Sequence, residues 1–208
     1  MAQKGLIKAI LATGLAFAVS SAIAADKPAE KPATLSGATG SMLANTCAGC
    51  HGTNGVSSGP ASPSIAGFNK EYFVVAMSEF KEGKFPSTIM SRIAKGYSDE
   101  EIKAMAEFFA KQKYVHAKQD FDKAKAEQAS KMHEKYCEKC HEDGGSAATD
   151  ETGYLAGQWS PYIRMQLKDY MSGSREASKK MAKKLEELHE KEGDAGYEAL
   201  VHYYASQQ

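Results

Sequence analysis

Apolar residues recur at helical spacing in the segment that ends each half of this chain. Ser98 and Glu101 have the spacing of a capping box, and apolar residues then follow every three or four positions from 102 to 109. A second segment with the same spacing runs from about Asp194 to Tyr204. Each segment predicts an amphipathic helix that buries one face.

Two further helices are predicted earlier in each half. Asn69 is a favourable N-cap for a helix that continues to Glu82, and Ser160-Pro161 is a typical helix start. The polar stretch 114–125 contains no Gly or Pro, and we expect it to lead into a helix that ends near Cys137. No segment alternates apolar and polar residues as a strand would, so the pattern predicts an all-α protein.

The first 24 residues have the pattern of a secretory signal peptide. Lys4 and Lys8 precede a short apolar run at 9–19, and Ala22-Ile23-Ala24 fits the small-residue cleavage pattern. An uncleaved membrane anchor is the alternative, but the run is shorter than the roughly 20 residues that span a bilayer. We therefore predict a signal peptide at 1–24, export to the periplasm and no transmembrane segment in the mature chain.

The remaining chain is a tandem repeat with an offset of 90 residues. Cys47-Ala48-Gly49-Cys50-His51 and Cys137-Glu138-Lys139-Cys140-His141 share one pattern and use all four cysteines. The further matches at offsets of 90 to 95 are Ala66-Gly67 with Ala156-Gly157, Tyr72 with Tyr162, Phe80 with Tyr170, Gly83 with Gly173, Met90 with Met181, and Phe108-Phe109-Ala110 with Tyr203-Tyr204-Ala205. A duplicated domain with small insertions in the second copy explains this pattern.

These features divide the mature chain into a flexible leader at 25–40, a first domain at 41–115 and a second at 116–208. Units of this size are near the lower limit for a stable core, so a large apolar prosthetic group would help each one to fold. Removal of the signal leaves 24 basic against 26 acidic residues, roughly −2, which gives no indication of a nucleic-acid partner.

The Cys-x-x-Cys-His segments have the spacing for covalent haem attachment. Two thiols at this spacing react with the two vinyl groups of one haem, and the adjacent histidine reaches one face of the iron. Cys47 and Cys50 would hold one haem, and Cys137 and Cys140 a second. Zinc knuckles or disulfides are the competing interpretations. A histidine directly after both pairs, in an exported chain, favours haem.

His51 and His141 are the predicted proximal iron ligands. On the opposite face we expect Met90 and Met181, because they lie 39 and 40 residues after their histidines at equivalent repeat positions. A thioether ligand raises the haem potential relative to a second nitrogen ligand, which suits an electron acceptor. The histidines that offer bis-histidine ligation as the alternative are His116, His133, His189 and His202. None of them repeats at the right offset, so we interpret them as surface or helix-face residues.

Pro63 lies 12 residues after His51, in a segment that resembles the proline loop of small class I cytochromes c. In that family the loop carbonyl accepts the N–H of the proximal histidine, which fixes the ring and tunes its basicity. Gly153 occupies the corresponding place in the second copy, where the loop would be less rigid. The alternative is that Pro63 is only a turn residue.

Over nearly the whole mature length, the chain resembles the dihaem cytochrome subunit of flavocytochrome c sulfide dehydrogenases. The matching segments are Gly59-Pro60-Ala61-Ser62-Pro63-Ser64-Ile65, Ser87-Thr88-Ile89-Met90, Arg92-Ile93-Ala94-Lys95-Gly96-Tyr97, Tyr136-Cys137-Glu138-Lys139-Cys140-His141, Leu155-Ala156-Gly157-Gln158-Trp159 and Tyr204-Ala205-Ser206-Gln207-Gln208. A looser resemblance to the cytochromes c4 rests on the haem motif, the Ala-Gly turn and the terminal aromatic pair.

The resemblance implies two tandem class I cytochrome c domains, each wrapped around a covalent haem, in a heterodimer with a FAD-containing flavoprotein. The partner would oxidise sulfide, and this chain would pass the electrons to a downstream redox acceptor without catalytic residues of its own. Consistent with that division, the sequence has no G-x-G-x-x-G fingerprint for a dinucleotide. A freestanding carrier like cytochrome c4 is the main alternative. A haem peroxidase would need an open ligand position on its iron. Both copies have a methionine that is a candidate to occupy this position, so a peroxidase is not favoured.

Overall fold

The computed structural model describes residues 37–208, so the predicted signal peptide and most of the predicted leader lie outside the described residues. The described part is helical and has no β-strand, which confirms the predicted all-α class. Its α-helices are α1 Gly40–Asn45, α2 Ala48–His51, α3 Lys70–Glu82, α4 Met90–Ile93, α5 Asp99–Phe109, α6 Lys123–Tyr136, α7 Glu142–Gly145, α8 Ser160–Met171 and α9 Lys179–Ser206. Short 3-10 helices occupy Thr53–Gly55 and Ala94–Gly96. Within 37–208 no helix is both long and apolar enough to cross a bilayer.

The predicted helix starts are present, and each satisfies backbone N–H groups that a helix start leaves free. The Asn69 side chain accepts hydrogen bonds from the first turn of α3. At α5 the Ser98 hydroxyl accepts from the Glu101 N–H, and the Glu101 carboxylate accepts from the Ser98 N–H. This reciprocal pair is the predicted capping box. Pro161 stands in the first turn of α8, where a missing N–H costs nothing.

The two copies share the same loop hydrogen bonds, which supports the duplication read from the sequence. The N–H groups of Ile65 and Ala66 both donate to the Gly55 carbonyl, at 2.8 and 3.0 Å. The N–H groups of Leu155 and Ala156 donate in the same way to Gly145, at 2.9 and 3.0 Å. The next residue of each loop bonds to its terminal helix, Gly67 to Phe109 and Gly157 to Tyr204, both at 2.8 Å.

The second copy departs from the first in its terminal helix. We predicted this helix from about Asp194, whereas α9 begins at Lys179. The backbone at Gly193 leaves the helical region, with φ 61° and ψ −160°, so α9 consists of two helical segments and the predicted helix is the second. The first segment was missed because it is mostly charged, although its Leu188 side chain is only 1% exposed.

Each copy contributes one hydrophobic cluster to the described part of the chain. The first cluster joins α1, α3 and α5 through residues such as Leu43, Phe73 and Phe109. The second joins α6, α8 and α9 through residues such as Ile163 and Leu200. The domain limits given above stay predictions, but the clusters lie on either side of the 115/116 boundary.

Aromatic side chains join the two copies, and the described residues belong to one compact unit. The rings of Tyr114 and Tyr154 stack with centroids 4.0 Å apart and 13° between their planes. The Trp159 indole N–H donates to the Ser57 carbonyl at 3.2 Å. Its ring lies so close to Gly59 that a Cβ atom there would stand 2.4 Å from it.

We expect Gly157→Ala to lower the free energy of unfolding more than Gly173→Ala does, by about 1–3 kcal/mol, because it adds overpacking. Both glycines have positive φ, 65° and 72°, so both substitutions carry a left-handed backbone cost of about 1–2 kcal/mol. Only a Cβ at Gly157 would also meet His116, at 2.5 Å, since nothing lies within 4 Å of that position at Gly173. Denaturant unfolding measures the difference, and equal losses would contradict the packing argument.

Candidate functional site

One helical turn brings the first cysteine pair and its histidine to the same side of the chain. The His51 N–H donates to the Cys47 carbonyl at 2.9 Å, which closes a turn that continues into α2. Residues three and four apart on a helix share a face, so Cys47, Cys50 and His51 point to one region. The motif spacing and the local backbone therefore agree.

The His51 ring is fixed by the loop that carries Pro63. Its Nδ1 atom lies 2.8 Å from the Pro63 carbonyl oxygen. A carbonyl can only accept, so Nδ1 carries the proton and Nε2 keeps a lone pair for a metal. Burial lowers the pKa of His51, and the hydrogen bond to Pro63 opposes this shift in part. The neutral ring is therefore the form present at pH 7.

The Pro63 loop is itself held by the second copy. The side-chain amide of Gln158 accepts from the Ser64 N–H at 2.9 Å and donates to the Ser64 carbonyl at 3.0 Å. Both residues are buried, with Gln158 0% exposed. Within the first copy, the Ser64 hydroxyl also accepts from the Ser57 N–H at 3.1 Å. Gln158 thus fixes the residue next to the carbonyl that orients His51.

Cys47, Cys50 and His51 line a cavity of about 710 Å³ in the first copy. This volume lies within the roughly 300–1,000 Å³ typical of small-molecule and cofactor sites. Most of the wall is apolar, as an aromatic macrocycle requires, and its apolar residues include Pro63, Ile65, Phe68, Tyr72, Phe73, Ala76, Met77, Phe80, Pro86, Ile89, Met90 and Ile93. Thiols, an imidazole with a free nitrogen and apolar walls together fit a covalent haem.

Met90 is the first residue of α4, and it lines the same cavity as His51. The Ser87 hydroxyl accepts from the Ser91 N–H at 2.9 Å and fixes the start of this short helix. Met165, from α8 of the second copy, also lines the cavity and is 43% exposed. The structure thus brings together the predicted first-copy residues, namely both cysteines, His51, Pro63 and Met90.

The second motif shares the hydrogen bond that closes the turn of the first, but His141 has a non-helical backbone, with φ −112° and ψ 68°, and different surroundings. The His141 N–H donates to the Cys137 carbonyl at 2.9 Å, as in the first copy. Among the described residues, however, the buried His141 Nδ1 atom has no hydrogen-bond partner. Burial lowers the pKa of His141 to about 4, so this ring is also neutral at pH 7.

Steric contact explains why the second copy has a glycine, Gly153, at the position equivalent to Pro63. A Cβ atom on Gly153 would lie 2.9 Å from Tyr72 and 3.2 Å from Phe68, both in the first copy. Close approach of the two copies therefore leaves no room for a proline ring there. Met181 lies in the first turn of α9, half-buried, and its N–H is capped by Ser178.

Cys47 and Cys137 do not have the properties of catalytic nucleophiles. Burial raises the pKa of the Cys137 thiol to about 11 and also raises that of Cys47. An activated thiol needs a lowered pKa, so neither side chain is poised as a thiolate.

The four remaining histidines have partners elsewhere. His133 is buried on α6, where Nδ1 lies 2.9 Å from the Tyr204 hydroxyl and Nε2 lies 2.5 Å from the Glu138 carboxylate. His116 Nδ1 bonds to the Gln207 carbonyl. His189 and His202 lie 3.6 and 3.2 Å from carboxylates on α9. None of these four lines the first-copy cavity.

Two residues at this site were not identified from the sequence, Gln158 and Arg175. Gln158 belongs to a segment that matched the family resemblance, but nothing in the sequence indicated that it reaches the Pro63 loop. Arg175 lines the first-copy cavity although it belongs to the second copy. Both act across the junction between the copies, which a repeat comparison within one chain does not reveal.

Comparison with known proteins agrees with this geometry. The family model "Cytochrome c" matches residues 37–113. The cytochrome subunit of sulfide dehydrogenase of Chlorobaculum tepidum is 49% identical over 100 residues, which cover 48% of this chain and 86% of the relative. Cytochrome c4 of Pseudomonas aeruginosa is 31% identical over 145 residues, 66% of this chain and 72% of the relative. The crystal structure of cytochrome c4 from Pseudomonas stutzeri superposes with a TM-score of 0.68 at 25% identity, covering 81% of this chain and 97% of that one.

We expect Gln158→Leu to raise the midpoint potential of the haem at His51, because a looser Pro63 carbonyl makes the imidazole a weaker donor to Fe(III). It also leaves the buried Ser64 N–H and carbonyl unpaired, which costs about 1–3 kcal/mol of stability for each group. The matched control is Gln119→Leu, which removes two hydrogen bonds to the backbone of Gln158 and Ser160 but none to the Pro63 loop.

Spectroelectrochemistry measures both potentials, and paramagnetic NMR contacts to the cysteine β-protons assign each haem. Equal potential shifts in the two glutamine variants would show that Gln158 does not act through His51.

Proposed function

The chain belongs to the cytochrome c family, and from this premise we propose that it is an exported electron-transfer subunit that carries two covalent haems. Its electron donor is a FAD-containing flavoprotein that oxidises sulfide to sulfur. The observation that carries the proposal is the doubled Cys-x-x-Cys-His motif in a chain 49% identical to the cytochrome subunit of a sulfide dehydrogenase.

The count of two haems rests on the internal repeat. The aligned part of the sulfide dehydrogenase relative covers only 48% of this chain, about the length of one copy. The similarity to cytochrome c4 extends further and spans 66% of this chain. Both copies have the same loop hydrogen bonds and the same turn at the motif, so the attachment chemistry is available twice.

The side chains have distinct roles in this proposal. Cys47 and Cys50 fix the first haem and Cys137 and Cys140 the second, while His51 and His141 present Nε2 to iron. Met90 and Met181 would each offer a thioether sulfur to the iron in their own copy. When bound, each haem supplies a one-electron Fe(III)/Fe(II) couple, so two match the two electrons released when HS⁻ becomes elemental sulfur and H⁺.

Two features of the sequence support the proposal that a flavoprotein partner carries out the sulfur chemistry. All four cysteines are used by the haem motifs, so none is left to attack or carry sulfur. The sequence has no dinucleotide-binding G-x-G-x-x-G fingerprint. The sulfur chemistry therefore belongs to the partner, and this chain carries electrons from it to a downstream acceptor.

A freestanding carrier is the second candidate, and one observation favours it. The structural likeness to cytochrome c4 extends over 81% of this chain and 97% of the Pseudomonas stutzeri protein. Such a carrier would dock transiently with several donors instead of one permanent flavoprotein. Export to the periplasm, through the signal peptide proposed at 1–24, is common to both candidates.

Purification of the native protein under mild conditions tests the partner. We expect a heterodimer that contains flavin, has two porphyrins covalently added to this chain by mass spectrometry, and reduces both haems when sulfide is added. A pure monomer with two haems, no flavin and no reduction by sulfide would favour the freestanding carrier. The bare polypeptide mass would overturn both candidates.

Met90→Ala should abolish the far-red sulfur-to-iron charge-transfer band of one haem and lower that haem's potential, because a thioether stabilises Fe(II). The matched control is Met165→Ala, since Met165 lines the same cavity and is not a proposed ligand. In the second copy the variant is Met181→Ala and its control is Met171→Ala, since Met171 is an exposed residue at the end of α8 and is not a proposed ligand. An unchanged ligand-field spectrum in Met90→Ala would rule out this ligand.

A further inference from the structure

Arg175 is a buried cation at the junction between the two copies. It follows α8 in the second copy, and only 7% of its surface is exposed. Its guanidinium lies over the Phe85 ring, 3.7 Å from the centroid, and 4.7 Å from the centroid of Tyr170. Phe85 belongs to the first copy, so the guanidinium is held between aromatic rings of both copies.

The hydrogen bonds of Arg175 leave its charge uncompensated among the described residues. One terminal nitrogen donates to the Gln166 side-chain oxygen, and the backbone N–H donates to the Asp169 carbonyl at 3.0 Å. The Nε atom is buried without a partner. No carboxylate of residues 37–208 forms an ion pair with this guanidinium. A buried charge without an anion is energetically costly, so binding of an anionic group beside Arg175 would be favourable.

Arg175 lines the same cavity as His51, Met90 and the first cysteine pair. Lys168 adds a second positive charge to this wall and Asp169 a negative one. The rest of the wall is largely apolar. The Arg175 side chain, with its unpaired Nε, therefore borders the space proposed for the first haem. It lies in the part of the cavity wall that the second copy contributes.

We propose that Arg175 binds a propionate carboxylate of the haem attached to Cys47 and Cys50. A haem brings two carboxylates into an otherwise apolar cavity, and a planar guanidinium is the side chain best suited to bind a carboxylate through two parallel hydrogen bonds. The inference rests on the proposed haem attachment in the first copy, but it does not depend on the identity of the flavoprotein.

Two physical consequences follow from this contact. The second copy closes the haem site of the first, so the haem is shared between the copies instead of belonging to one. The cation also offsets the negative propionate near the iron, which favours the reduced state. Loss of Arg175 should therefore lower the potential of the first haem and leave that of the second nearly unchanged.

The test compares Arg175→Gln and Arg175→Lys with the control Arg164→Gln in the haem-loaded protein. The control substitution Arg164→Gln also removes one positive charge. Arg164, however, is exposed on α8 and pairs with Glu198 at 2.6 Å. Redox-difference infrared spectra are recorded with natural haem and with haem labelled by ¹³C at the propionate carboxylates. The potential of each haem is measured in parallel.

We expect a ¹³C-sensitive carboxylate band in the wild type that shifts in Arg175→Gln, shifts less in Arg175→Lys and does not change in Arg164→Gln. The potential of the first haem should fall in the same order. If Arg175→Gln fails to fold, the Lys variant decides, since it keeps the charge and loses only the fork geometry.

An unchanged labelled band in the Arg175 variants would overturn the proposal. A band shift that does not respond to the ¹³C label and that Asp169→Asn reproduces would also overturn it. In that case the carboxylate bound by Arg175 would be that of Asp169. If the wild-type chain carries no haem at Cys47 and Cys50, the proposed function fails as well. If the haem is present and the labelled band does not respond, only the Arg175 assignment fails.

Discussion

The first copy of this chain builds its hydrophobic core around a space that its own side chains do not fill. In the first copy that space is about 710 Å³ and is walled by aromatic and aliphatic residues. A unit of this size buries too little apolar surface to tolerate such a void, because cavities cost stability in proportion to their volume. A haem attached to Cys47 and Cys50 would fill this space and become part of the core. This requirement links the cysteine motif, the apolar walls and the packing between the copies.

The junction between the copies sets the properties of the first site. Gln158 fixes the backbone beside the carbonyl that orients His51. Trp159 packs over Gly59, and Gly153 leaves space for Tyr72. These contacts run from the second copy to the first, and nothing equivalent holds His141 Nδ1 among the described residues. Duplication thus produced two similar motifs in different surroundings.

Residues whose roles depend on local sequence were predictable. The capping box at Ser98 and the N-cap at Asn69 depend on neighbours within four positions, which the sequence displays directly. Met90 required the repeat, since only its position relative to Met181 distinguishes it from the other methionines. The structure places Met90 in the cavity with His51, whereas its role as a ligand stays a prediction.

Residues that act between the copies were not predictable. Gln158 and Arg175 have ordinary sequence surroundings, and their partners lie about 90 positions away. The early start of α9 was missed for a different reason, because its first segment is mostly charged and Leu188 is its one buried residue. Tertiary packing, and not local propensity, determines these features.

In the proposed haem site, the two contacts from the second copy, made by Gln158 and Arg175, would change the potential of the first haem in opposite directions. A hydrogen bond from His51 to Pro63, held in place through Gln158, strengthens the imidazole as a donor and favours Fe(III). A cation at Arg175 beside a propionate favours Fe(II). Because both contacts cross the same junction, a change in the packing between the copies alters both terms at once. In this proposal the potential of the first haem depends on both copies and on the packing between them.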